Sequence, residues 1–256
     1  MPSPDWWGSP PHPVAVTIDV EWAHPEVLDD ILRLLAERNL RATFFCTHAG
    51  IVMPRHERAL HPNFRRQGNS LLEGRAPEEL SRWTDEDFYR FVIRSTQAFC
   101  PEALGARSHC LFYDSALLPI YRELGLQYES SYFLPLTPGL GPVWKGCDIL
   151  ALPIYYLDYW DLRNQATGFT LAGLHLERPG LKVVGFHPNI VFINAATLEQ
   201  YLDSKAHYHD PERLRRLRHS GRGARTLFVE LLDYLGSGRL AVSTLAEVNA
   251  RCRESR

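Results

Sequence analysis

Short runs of β-branched and aromatic residues alternate along this chain with longer segments whose apolar residues have helical spacing. The clearest strand patterns are residues 14–21, 41–46 and 181–186, and the clearest helix pattern is 25–38. Because strands that alternate with helices build parallel sheets covered by helices, the predicted fold class is α/β.

The remaining elements have weaker patterns. We predict helices at 85–99, 115–124, 226–235 and from residue 244, and strands at 103–107, 149–154 and 240–242. Residues 62–81 have no periodicity and are predicted to form a loop, and residues 126–142 are interrupted by proline and glycine. The 256 residues suit one large domain, which we assign to 13–256 after a flexible proline-rich lead-in at 1–12.

Composition excludes several classes of protein. The net charge of -2 gives no general attraction to nucleic acid, and no apolar run is long enough for a membrane span. The first residues lack the pattern of a secretory signal, so a cytoplasmic location is expected. Residues 213–225 are rich in arginine. A solvated helix face is the simpler interpretation, and an electrostatic rim for an anionic substrate such as a nucleotide sugar is the alternative.

Two carboxylates end the first predicted strand. Side chains alternate between the two faces of a strand, so Asp19 and Glu21 are expected on the same side and close together. Such a pair favours a cation, and Glu21 with His61 is an ordinary ligand pair for zinc or a similar metal. A loop histidine without a ligand is the alternative for His61. Arg107 and His187 also fall at predicted strand ends, where parallel sheets bind ligands.

Five motifs in a fixed order resemble the polysaccharide deacetylase family, also called the NodB-homology or carbohydrate esterase 4 family, and more narrowly its WbmS-like branch. The motifs are Thr17-Ile18-Asp19-Val20-Glu21, Ala42-Thr43-Phe44-Phe45, His56-Glu57-Arg58-Ala59-Leu60-His61-Pro62-Asn63-Phe64, Arg107-Ser108-His109 and Gly185-Phe186-His187-Pro188. The resemblance implies a distorted (β/α)7 barrel, a divalent metal, and hydrolysis of an N-acyl group on an amino sugar or a related amide.

The same resemblance assigns roles to individual residues. It implies that Asp19 is the general base, that Glu21 and His61 bind the metal, that Arg107 orients the base, and that His187 protonates the leaving nitrogen.

Three further assignments accompany these roles. Asp158 resembles an acidic residue that holds His187 or the substrate. The family's second metal histidine follows the first by four residues, but Arg65 occupies that position here. Asn63 and His109 are the candidate replacements, and His109 is preferred because imidazole is the better ligand for a transition metal. The alternative roles for His109 are to contact substrate or to pack against Tyr113.

Aromatic residues crowd the segment that follows the strand predicted at 149–154. Tyr156 and Trp160 are expected to stack on a sugar ring, with Asn63 as a further substrate contact, and ordinary packing is the alternative for the aromatic residues. The predicted protein is a hydrolase of linear amides that acts on an amino sugar, a nucleotide sugar or a related small intermediate. Zinc is the expected cofactor, with cobalt, nickel or manganese also suitable. The alternatives are a metal-independent amide or ureide hydrolase in which His61 and His109 hold the substrate, and an inactive carbohydrate-binding relic.

Overall fold

A computed structural model describes residues 12–256 of the chain. The predicted lead-in therefore lies outside the described residues except for His12, and the domain division stays a prediction. The strands are β1 (Val14–Asp19), β2 (Thr43–Cys46), β3 (Glu57–Leu60), β4 (Gly105–Ala106), β5 (Tyr128–Glu129), β6 (Val143–Trp144), β7 (Leu150–Ala151), β8 (Ile154–Leu157) and β9 (Lys182–Phe186). The helices are α1 (Pro25–Ala36), α2 (Pro77–Leu80), α3 (Asp85–Gln97), α4 (Leu117–Glu123), α5 (Asp158–Asn164), α6 (Pro188–Phe192), α7 (Leu198–Ser204), α8 (Pro211–Arg216), α9 (Ala224–Gly236) and α10 (Leu245–Glu254).

The strands form one curled sheet in the order β6-β7-β5-β4-β3-β2-β1-β9-β8. Neighbouring strands are parallel except for the pair of β6 with β7. The segment after β5 then runs beside β8: Leu134 N–H donates to the Ile154 carbonyl and Leu136 N–H donates to the Tyr155 carbonyl, each at 2.9 Å. This contact brings the two sides of the sheet together, and the predicted α/β distorted barrel is confirmed.

Burial explains why β1 and β9 give the clearest strand patterns. All residues of both strands are buried, because the sheet has side chains packed on both faces at its centre. On α1, the buried residues are the five of the predicted apolar stripe, Val27, Leu28, Ile31, Leu34 and Leu35. Capping boxes begin α3 at Thr84 and α10 at Thr244, so the predicted starts of both helices are correct.

Several predicted elements differ from the structure. β1 ends at Asp19 rather than at residue 21, and the strand predicted at 149–154 is divided between β7 and β8. The strand predicted at 240–242 is wrong, because only an isolated bridge joins Val242 to Val14. β3, which sequence patterns did not indicate, pairs with β2. Among residues 12–256, no helix has both the length and the apolar character that crossing a membrane requires.

Candidate active site

The predicted site residues gather at one edge of the barrel. Asp19 is the last residue of β1, while His61, Arg107 and His187 each lie at or just after the end of β3, β4 and β9. Asp158 follows β8 directly. Because these strands are parallel, their carboxyl ends lie at the same edge, and the five side chains come from separate parts of the sequence to one place.

A left-handed turn, and not strand alternation, positions Glu21. Glu21 and Trp22 have φ values of 51° and 54°, a conformation that costs energy for residues with a Cβ. Hydrogen bonds stabilise the turn: Ala23 N–H donates to the Val20 carbonyl at 3.0 Å, and Trp22 N–H donates to Thr47 Oγ1 at 3.2 Å. The turn directs the Glu21 carboxylate toward the ends of β3 and β4.

Glu21 meets two imidazoles there. Its Oε1 lies 2.9 Å from His61 Nε2 and 2.8 Å from His109 Nδ1, and one ligand atom from each residue lies within 4.8 Å of the others. Burial raises the pKa of Glu21, but the contacts with His109 and His61 outweigh it and hold this pKa well below its usual range. Burial lowers the pKa of His109, but Cys110 and Glu21 raise it to about 10. The three side chains therefore form one tightly coupled cluster.

The donor atoms of this cluster fit a divalent metal. His61 Nδ1 lies 2.8 Å from the Arg107 carbonyl oxygen, which can only accept, so Nδ1 carries the proton. His61 Nε2 then faces the Glu21 carboxylate at 2.9 Å, so its lone pair can bind a cation together with that carboxylate. Two imidazole nitrogens and one carboxylate oxygen are ligands that zinc accepts in catalytic sites, as do related transition metals. His109 thus lies where the sequence analysis needed a third ligand.

Arg107 holds the Asp19 carboxylate in place. The Arg107 side chain is fully buried, and its Nη1 donates to Asp19 Oδ1 at 2.7 Å and to Thr17 Oγ1 at 2.9 Å. Ser130 accepts from the rest of the guanidinium through its carbonyl and hydroxyl oxygens. Burial raises the pKa of Asp19, but the charges of Arg107, His61 and His187 together outweigh it and the pKa is lowered. Asp19 is therefore an ionised, oriented carboxylate.

Asp158 holds His187 in a similar way. His187 Nδ1–H donates to Asp158 Oδ1 at 2.6 Å, and the His187 backbone N–H donates to Asp158 Oδ2 at 2.8 Å. Burial lowers the pKa of His187, but Asp158, together with Asp19 and Glu21, raises it to about 9. The other ring nitrogen, Nε2, lies 3.8 Å from Asp19 Oδ2. An ionised carboxylate and a protonated imidazole thus stand side by side.

These groups open into a cavity of about 540 Å³. Among the predicted residues, those that line it are Asp19, Glu21, His109, Trp160 and His187. Tyr159, one of the aromatic residues that crowd the segment after β8, also lines it. Sequence reasoning gave no binding role to the other lining residues, which have no distinctive pattern: Arg65, Cys110, Leu111, Phe133, Leu157, Arg163, Tyr201 and Lys205.

Two predicted substrate contacts do not line this cavity. Tyr156 is fully buried, and its hydroxyl donates to Asp161 Oδ2 at 3.1 Å while its ring packs on Phe186. Asn63 Oδ1 accepts from the Arg65 backbone N–H at 3.0 Å. Tyr156 therefore follows the packing alternative of the sequence analysis, and Asn63 stabilises the loop after β3.

Two solved structures resemble the fold of this chain. A protein from Bordetella bronchiseptica, assigned as a polysaccharide deacetylase involved in O-antigen biosynthesis, has 26% identity and a TM-score of 0.73 over 86% of this chain and 90% of its own. An assigned polysaccharide deacetylase from Mycobacterium smegmatis has 15% identity and a TM-score of 0.52 over 95% of this chain and 90% of its own, which supports the fold alone. No curated protein gives a significant match.

A family model gives a more specific result. The model describes WbmS-like polysaccharide deacetylases, and it matches residues 16–205. This range includes the cluster of Glu21, His61 and His109, the pair of Asp19 with Arg107 and the pair of Asp158 with His187. The chain therefore belongs to the WbmS-like polysaccharide deacetylase family.

Proposed function

We propose that this protein is a metal-dependent N-deacylase that removes an acetyl or formyl group from an amino sugar, a nucleotide sugar or a related small intermediate. The observation that carries the proposal is the position of Asp19 and His187 beside the cluster of Glu21, His61 and His109. Hydrolysis of an amide needs a base for water and an acid for the leaving nitrogen, and both stand in one cavity.

The residues of the chain divide the chemistry between them. A divalent cation held by the Glu21 cluster would supply Lewis acidity toward the amide carbonyl and toward water. Asp19 accepts the proton of the attacking water, and Arg107 keeps this carboxylate charged and oriented. His187 Nε2 then donates a proton to the amide nitrogen as the C–N bond breaks.

An amide nitrogen leaves readily only when it is protonated, which explains the arrangement around His187. Its pKa of about 9 keeps the ring protonated at neutral pH, so the acid is ready at the start of each turnover. We propose zinc first, because a carboxylate with two histidines is a ligand set of catalytic zinc sites. Cobalt, nickel and manganese are the other candidates, and the cytoplasmic location stays a prediction.

Product analysis tests this proposal. The purified chain is stripped of metal, divided, and reconstituted with each of the four ions. Release of acetate or formate is then measured on a panel of N-acylated sugars and nucleotide sugars. We expect activity in at least one reconstituted sample and its loss on renewed chelation. Equal activity in chelated samples would support the metal-independent hydrolase instead, and binding of sugars without any release would support the inactive relic.

A further inference from the structure

Three cationic side chains stand exposed at the edge of the proposed active site. Arg65, Arg163 and Lys205 all line the cavity. Most other arginines of the fold have a carboxylate partner, as in the pairs Arg58 with Glu102 and Arg222 with Glu230. Within residues 12–256, by contrast, these three side chains form no ion pair. The cavity rim, by which we mean Arg65, Arg163 and Lys205, therefore carries uncompensated positive charge.

The arginine-rich segment 213–225 does not supply this charge. Arg215 pairs with Glu26, and Arg225 pairs with Asp30. No residue of this segment lines the cavity. The sequence analysis gave an electrostatic rim as the alternative role of 213–225, but the exposed cations that line the cavity come from elsewhere in the chain.

Two of the rim cations flank an aromatic wall, formed by Tyr159 and Tyr201, beside the proposed acid His187. The Arg163 guanidinium lies 5.9 Å from the centre of the Tyr159 ring, and the Lys205 ammonium lies 5.1 Å from that of Tyr201. The two tyrosine rings are 5.9 Å apart, and Tyr159 lies 6.3 Å from the His187 ring. A sugar held against this wall would place its substituents between two positive charges.

The third rim cation lies toward the proposed metal cluster. Arg65 lines the cavity together with Glu21 and His109. Because His109 completes the cluster with Glu21 and His61, the chain does not need a ligand at position 65. The arginine there is available for a different contact in the same cavity.

We propose that the cavity selects an anionic N-acylated sugar, with Arg65, Arg163 and Lys205 as the residues that bind its carboxylate or phosphate. This inference rests on the proposed deacylase function, because it specifies the substrate of that site. A neutral sugar leaves the three charges without a partner, whereas an anionic group gains charge-assisted hydrogen bonds from them. The positive rim also attracts an anion to the cavity before it binds.

Titration calorimetry with three probes tests the inference. The probes are N-acetylglucosamine, its uronic acid, and UDP-N-acetylglucosamine, so that a neutral sugar is compared with a carboxylate and with a diphosphate. We expect the full, metal-loaded chain to bind at least one anionic probe about tenfold more tightly than the neutral one at low ionic strength. The difference should shrink in ~0.5 M salt, because exposed charges are screened.

Substitutions identify the residues responsible. Arg65→Gln, Arg163→Gln and Lys205→Gln should each raise the Kd of the anionic probe by about 3- to 10-fold and that of the neutral probe by less than about twofold. Arg82→Gln is the matched control, since Arg82 is exposed and does not line the cavity. Equal affinity for all three probes, or equal effects of the control and the rim variants, would overturn the inference.

Acyl release measured on the same samples separates the two proposals. Release from the neutral sugar, without preference for either anion, would leave the deacylase proposal intact and overturn the anionic substrate. Rim-dependent binding of an anion with no release from any probe, under any of the four metals, would support the rim and contradict the deacylase. Preference for the uronate or for the nucleotide sugar would identify the anionic group as a carboxylate or a phosphate.

Discussion

Replacing Asp158 by asparagine tests how the proposed acid is kept protonated. The Asp158 carboxylate is fully buried and accepts from both the ring and the backbone of His187. Asparagine has nearly the same shape but no charge, so Asp158→Asn removes the largest cause of the raised His187 pKa while leaving the backbone positions in place. The His187 pKa is then expected to fall from about 9 to its ordinary 6.5 or lower.

The pKa change gives the expected size of the effect. The difference between 9 and 6.5 corresponds to about 3 kcal/mol of differential stabilisation of the imidazolium. At pH 8, a group with a pKa of about 9 is roughly nine-tenths protonated, whereas one with a pKa of 6.5 is protonated to about 3%. Turnover of Asp158→Asn should therefore be about 30-fold lower at pH 8, and the loss should diminish toward pH 6.

The assay is a pH profile of kcat for both proteins on the substrate that the product panel identifies. The alkaline limb should lie near pH 9 in the wild type and near or below pH 6.5 in the variant. Because the folded-state pKa of His187 is raised, its contribution to stability is complete below pH 6.5 and is lost through pH 9. The melting-temperature difference between the two proteins should therefore be larger at pH 6 than at pH 9.5. Parallel profiles, with a loss that does not depend on pH, would refute the role of Asp158 in setting this pKa.

Three further tests have distinct expected outcomes. Asp19→Asn should lower turnover by ~10²- to 10⁴-fold with the metal content unchanged, and an unaltered kcat would rule out Asp19 as the base. The variant should also lose ~1–3 kcal/mol of stability, because Arg107 keeps its charge in a buried site. His109→Ala should lower the metal content of purified protein, measured by elemental analysis, to below ~0.1 equivalent, whereas Asn63→Ala should retain the metal. The opposite pair of results would make Asn63 the ligand in place of His109. Gly185→Ala places a methyl group 2.5 Å from Leu157 Cδ2 and 3.3 Å from Arg107 Nη1. We therefore expect a loss of ~1–3 kcal/mol in denaturant unfolding together with lower kcat, and a wild-type unfolding curve would contradict this.

The sequence could predict the parts of the site that depend on local patterns. β1 and β9 are buried along their whole length, so their apolar runs identify both strands and the end of β9, although β1 ends at Asp19 and not at residue 21. Asp19 ends β1 and His187 follows β9, and because these strands are parallel both residues lie at the same edge of the sheet. His61 and Arg107 follow the much shorter strands β3 and β4, and the order of the motifs assigned their roles.

Other parts of the site depend on contacts that no local pattern records. Glu21 was predicted from strand alternation, but a left-handed turn determines its direction. Tyr156 has the composition of a sugar contact, and only the packing of β8 shows that it points into the core. The cavity rim combines residues 65, 163 and 205, and their proximity arises from tertiary structure alone.

The direct test of the proposed metal site is anomalous diffraction from crystals of the full chain soaked with Zn²⁺. We predict one strong anomalous peak about 2.0–2.2 Å from Glu21 Oε1, His61 Nε2 and His109 Nδ1, with Asp19 and His187 beside it and not coordinating. Full occupancy at any other group of side chains, or no peak within ~4 Å of this cluster at saturating zinc, would contradict the account.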